Sequence, residues 1–135
     1  MSDYKKPIPA ITAEMQPFFD AAKRHELVVQ RCAQCGKHRF PAREICSSCL
    51  SRDATWERVS GRGHIFSYNV MHQVYHPGFA SEVPYAVVVV ELDEGARMIS
   101  NLVGVALQDI KIGMPVQVVF EAVTAEVTLP KFKPA

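Results

Sequence analysis

The chain has 135 residues, 48% of them hydrophobic, with 15 Lys/Arg against 14 Asp/Glu and a net charge of +1. That length suits one ordinary domain, or two small ones if a metal stabilises one of them. No apolar run approaches the roughly 20 residues a membrane-crossing helix needs, so the composition predicts a soluble globular protein. The charge is uneven: residues 1–63 hold eleven Lys/Arg against seven Asp/Glu and residues 64–135 hold four against seven, which makes the halves +4 and −3. A modestly positive half hints at an anionic ligand and falls short of the basic surface that non-specific nucleic-acid binding needs.

Residues 1–11 contain Pro7 and Pro9 and no apolar period, predicting an extended or flexible lead-in. The N-terminus shows no hydrophobic signal segment, which sets a cytoplasmic expectation. From Thr12 onward, Met15, Phe18, Phe19 and Ala22 recur on one face of a helix, with Pro17 in its first turn and an end near Arg24-His25. The Phe18/Phe19 stripe reads as core packing before it reads as a docking surface. Residues 27–30 predict a short strand, and a second follows at 54–60, closed by the flexible Gly61-Arg-Gly63.

The remainder reads as strands. Over residues 64–71, Phe66, Tyr68 and Val70 alternate with Ser67 and Asn69, as in a half-buried strand whose aromatics fill a small core. The valine-rich run at 84–91 predicts a central strand, and Asp93-Glu94-Gly95 a hairpin turn. Residues 97–103 and 116–120 continue the pattern, and 128–132 would supply a last short edge. The predicted fold class is mainly β: an extension and helix at 1–26, a metal-stapled ribbon at 27–53, and a small Greek-key barrel of the OB type at 54–135.

All four cysteines fall in two Cys-x-x-Cys pairs, Cys32/Cys35 and Cys46/Cys49. Each pair would form a tight knuckle supplying two sulfurs, and the short connection folds the knuckles together around one tetrahedral ion, zinc being the expected metal. Gly36 follows the first pair, where positive φ lets backbone amides turn toward sulfur; Leu50 stands at the matching place after the second. A disulfide framework would need an oxidising compartment, and a single redox pair would leave the other pair unexplained. Iron in a rubredoxin-type site stays open. Four protein ligands close the coordination sphere, so the metal is expected to fold the segment rather than perform chemistry.

The ordered set of helix, Cys32-Ala-Gln-Cys35-Gly36, Phe40-Pro41, Cys46-Ser-Ser-Cys49, Gly61-Arg-Gly63, Pro84-Tyr85, Glu91-Leu-Asp-Glu-Gly95 and Ile112-Gly-Met-Pro-Val116 resembles the DUF35 family. The resemblance runs from about Pro17 to Phe132. It implies a rubredoxin-like zinc ribbon followed by an OB-fold, and a non-catalytic, acyl-CoA-handling accessory role. The implied partners are a thiolase-like enzyme, a lipid-transfer-type aldolase or a MaoC-type hydratase. No CoA motif carries over residue by residue. From charge alone, Arg31, Lys37, Arg39, Arg43 and Arg62 are the candidates for nucleotide phosphates, since guanidinium forks make paired, charge-assisted bonds to phosphate. Charge balance for the thiolates explains the basic residues near the knuckles equally well.

His25, His38, His64, His72 and His76 fall in no nucleophile or metal motif, and His72 and His76 read as solvent-facing residues beside Pro77. The alternative function is single-stranded nucleic-acid binding, with bases stacked on Phe66, Tyr68 and Tyr85 in a basic groove. The acidic barrel half weighs against it.

Overall fold

The computed structural model describes residues 4–135. Helix α1 (Gln16–Lys23) places Pro17 in its first turn and buries Phe18, Phe19, Ala21 and Ala22, so the apolar stripe is core. The helix ends in a Schellman turn: Glu26 N–H donates to Ala21 O and His25 N–H to Ala22 O, each at 2.9 Å. His25 takes the left-handed position there (φ 60°) and stacks on Phe120 at 5.2 Å.

The ribbon is a sheet of order β2-β1-β3, built from β1 (Val28–Cys32), β2 (His38–Arg39) and β3 (Ala54–Arg58). β1 pairs antiparallel with β3 from Val28↔Arg58 to Cys32↔Ala54, and with β2 at Gln30↔Arg39 and Arg31↔His38. Residues 54–58, counted with the barrel in the sequence reading, thus hydrogen-bond into the ribbon, and the barrel's first strand starts at Arg62. The sequence signal there was Gly61 and Gly63, which follow β3 rather than precede it.

The barrel comprises β4 (Arg62–Met71), β5 (Tyr85–Leu92), β6 (Arg97–Leu102), β7 (Pro115–Ala122) and β8 (Thr128–Pro134), closed in the order β4-β5-β6-β8-β7. Every neighbouring pair is antiparallel except β6 and β8, which meet in parallel at Leu102↔Phe132. That is the Greek-key OB arrangement. The terminal strand is no short edge: β8 pairs with β7 from Val116↔Pro134 to Ala122↔Thr128 and seals Phe132 wholly inside. Gly63 sits where β4 meets both β5 and β7, and a Cβ there would lie 2.3 Å from Glu91 O. Glycine permits that close approach of strands.

One expectation about the barrel's faces needs correction. A β-bulge between Ile65 and Ser67 shifts the side-chain alternation, so Ile65 fills the core while Phe66 stays 44% exposed; Tyr68, paired with Val88, is 39% exposed all the same. The valine run of β5 does form a central strand, paired with β4 and β6. Ala86, Val88, Val90 and Leu92 point inward, whereas Val87 and Val89 lie half-buried on the outside beside Ile99, which is 69% exposed. One hydrophobic core joins the units, with Phe18, Phe19, Leu27 and Val29 continuous with Ile65, Val88, Val116 and Phe132. Among the described residues, no helix is long and apolar enough to cross a membrane.

Candidate metal centre and adjoining cleft

Cys32 ends β1, Cys35 follows in the turn to β2, and Cys46 and Cys49 come from the second knuckle before β3. Their four Sγ atoms all lie within 4.8 Å of one another. The closest contacts cross between the knuckles, Cys32 to Cys49 at 3.5 Å and Cys35 to Cys46 at 3.6 Å. Four sulfurs about 2.3 Å from a central ion would stand roughly 3.8 Å apart, so the donor set fits a tetrahedral thiolate-loving cation. The thiols are all free, and the shortest S···S contact of 3.5 Å exceeds by far the roughly 2 Å of a disulfide bond.

The two knuckles repeat one backbone design. Gly36 N–H donates to Cys32 O at 2.9 Å and Leu50 N–H to Cys46 O at 3.0 Å; Cys32 N–H reaches Lys37 O and Cys46 N–H reaches Ser51 O, both at 2.9 Å. Gly36 has φ 78° and Leu50 φ 65°, so leucine adopts the conformation that glycine takes freely. Backbone amides also face the sulfurs: Cys35 N–H donates to Cys32 Sγ at 3.5 Å and Ser48 N–H to Cys46 Sγ at 3.4 Å. The amides of Cys49 and Ser48 draw the Cys46 thiol down to about 6, and the Cys35 amide lowers Cys32 as well. At Cys49 the Ser51 amide acts the same way, but burial and the three neighbouring thiols outweigh it and push that thiol up to about 11. Without a cation the cluster favours some thiolates at the expense of another; a divalent ion removes that conflict.

The phosphate candidates separate in space. Arg31 is engaged locally, with Nη1 3.3 Å from Glu57 Oε2 and Nε donating to Gly36 O. Glu57 also meets His38 Nε2 at 3.4 Å, and His38, with Arg31, holds its carboxyl below the usual range. Arg62 lies exposed at the start of β4 and does not line the cleft that Lys37, Arg39 and Arg43 form. Lys37, Arg39 and Arg43 do converge, on a cleft of about 530 Å³ between the ribbon and the β5–β6 hairpin. Arg97 joins them from the barrel, a residue the charge argument missed because it sits in the acidic half. Its only sequence signal was position, just past the Asp93-Glu94-Gly95 turn.

Within the cleft, Arg39 is 8% exposed; its Nε donates to Gln30 Oε1 and its Nη2 to Arg43 O, both at 2.9 Å, while Nη1 has no partner. Lys37 donates to Ser47 Oγ at 3.1 Å. Among the described residues, no carboxylate lies within ion-pair distance of Lys37, Arg39 or Arg43, whereas Arg97 meets Glu91 at 2.9 Å. None of these cations bonds a sulfur. Of the histidines, His72 is exposed and His76 accepts from Gly78 N–H through Nδ1 at 3.0 Å. Among the described residues, the cysteines are the one cluster of three or more groups that could hold a metal ion.

Comparison with known proteins also divides the chain into two parts, which meet within β3. Residues 19–55 match the family described as "ChsH2, rubredoxin-like zinc ribbon domain", and residues 56–121 match "ChsH2, C-terminal OB-fold domain". A "Probable enoyl-CoA hydratase alpha subunit" of Thermomonospora curvata is 45% identical over 130 residues, covering 96% of this chain but 40% of that protein. A "DUF35 domain-containing scaffold protein" of Methanocaldococcus jannaschii is 37% identical over 102 residues, 75% of this chain and 72% of the relative. Among solved structures, a chain of the "Ltp2-ChsH2(DUF35) aldolase" superposes with a TM-score of 0.83 at 44% identity, covering 94% of this chain and 98% of that one.

Proposed function

Because this chain belongs to the DUF35 family, we propose that it serves as an accessory subunit of an acyl-CoA enzyme, of the thiolase-like, lipid-transfer-type aldolase or MaoC-type hydratase kind. The observation that carries the reading is the likeness, along nearly its whole length, to a chain of the solved aldolase. The hydratase relative points the same way, although this chain spans only 40% of it. The outer barrel face adds physical support, because Phe66 and Tyr68 leave apolar surface for a larger protein to cover.

In this reading the four cysteines hold zinc, which folds the ribbon and takes no part in the reaction, and the protein works in the cytoplasm, where thiols stay reduced. Metal analysis of the purified protein tests the first point: colourless protein with one zinc per chain supports it, and red, iron-loaded protein refutes it. Isolation of the tagged chain from its native host tests the accessory-subunit reading, with a stoichiometric thiolase-, aldolase- or hydratase-type subunit as the expected companion. Recovery without any such enzyme would remove the basis for the proposal.

The exposure of Phe66 and Tyr68 favours one other reading, single-stranded nucleic acid on the barrel. A gel shift that weakens steeply with salt would support it. The −3 charge of residues 64–135 predicts no shift.

A further inference from the structure

The basic cleft does not stand alone. It shares Phe40 and Arg97 with an apolar furrow of about 420 Å³ whose other walls are Pro41, Val89, Met98 and Ile99. The furrow in turn shares Phe40, Met98 and Ile99 with a groove of about 240 Å³ that continues to Phe18, Phe19 and Leu129. Among the described residues Lys37, Arg39 and Arg43 have no carboxylate partner, whereas Arg97 pairs with Glu91, which also lines the cleft; these cations open directly onto a largely apolar track along β6. A buried guanidinium with one nitrogen unpartnered lines the basic end. Uncompensated buried charge is unfavourable, and an anion delivered to the cleft relieves it.

We propose that this cleft and furrow form one composite site for an anionic amphiphile, with Lys37, Arg39, Arg43 and Arg97 receiving a phosphate-bearing head and Phe40, Pro41, Val89 and Ile99 receiving its apolar tail. This rests on the acyl-CoA reading above and gives it a location on the chain. Arg31 and Arg62 lie outside the site: the first is paired with Glu57, and the second does not line the cleft. Phe40 is the pivot, because it belongs to the linker between the knuckles and walls all three depressions. The metal-stapled ribbon therefore sets the position of the head relative to the tail.

Calorimetric titration of the metal-loaded chain with CoA and with octanoyl-CoA tests the assignment. The substitutions Lys37→Glu and Arg43→Glu together should weaken CoA binding about tenfold or more, and higher ionic strength should weaken it further. Arg62→Glu, equally exposed and outside the cleft, should leave binding unchanged. Octanoyl-CoA should bind more tightly than CoA, and Ile99→Asp should erase that advantage while leaving the melting temperature intact, since Ile99 is 69% exposed. No CoA binding by the wild-type chain, or equal binding by the double variant, would overturn the site. So would an Ile99→Asp chain that keeps the octanoyl advantage but loses its enzyme partner, which would make the furrow a protein-docking surface. If the chain still co-isolates with an acyl-CoA enzyme in those cases, the accessory-subunit reading stands and only this location falls.

Discussion

Leu50 occupies in the second knuckle the turn position that Gly36 fills in the first, with φ 65° against 78°, and its side chain is 74% exposed. The left-handed conformation costs an L-residue about 1–2 kcal/mol, and the exposed side chain recovers little of that through packing. Leu50→Gly should therefore stabilise the metal-loaded protein by about 0.5–1 kcal/mol after the extra freedom of glycine in the unfolded chain is discounted. Urea denaturation measures it, and a destabilised variant would show that Leu50 makes a contact the free chain does not reveal. The sulfurs set a second residue-scale expectation. Cys46 titrates near 6 and Cys49 near 11 without metal, so binding an ion at neutral pH must displace protons. Protons compete with the metal, so apparent affinity should rise with pH between about pH 6 and pH 9. Competition with a chromophoric chelator reads this directly; affinity flat across that range would contradict a four-thiolate site.

The elements show where reading a sequence succeeds and where it stops. The helix was legible because Met15, Phe18, Phe19 and Ala22 repeat at helical spacing and the same face is buried. The cysteine cluster was legible because the ligands repeat at fixed spacing and the knuckle turns follow from local backbone geometry. β4 was legible as a strand but not in its facing. One extra residue at the bulge moves Phe66 from the expected core to the surface, where the Arg97 guanidinium lies 3.7 Å from its ring centroid. Strict alternation carries no mark of a bulge, because a bulge is fixed by the partner strand. Ile65→Ala should thus cost about 2–4 kcal/mol and Phe66→Ala no more than about 1 kcal/mol. A reversed order in urea melts would put Phe66 back in the core. The grouping of Lys37, Arg39 and Arg43 with Arg97 was likewise beyond the sequence, since it depends on how the β5–β6 hairpin docks on the ribbon.

At the scale of the whole molecule, one hydrophobic core unites helix, ribbon and barrel, and the metal staple fixes the part of the chain with the least apolar packing. What remains outside is an apolar barrel face bordered by a basic cleft, a surface suited to a larger partner and an anionic ligand. The central claim is that this chain works within an acyl-CoA enzyme rather than by itself. Sedimentation of an extract from the native host containing the tagged chain, with acyl-CoA turnover assayed in every fraction, tests it most directly. The account predicts that the chain travels with a peak of acyl-CoA turnover, well beyond the position expected for its own 15.0 kDa. A chain sedimenting at its own mass, with all acyl-CoA turnover in other fractions, would contradict it.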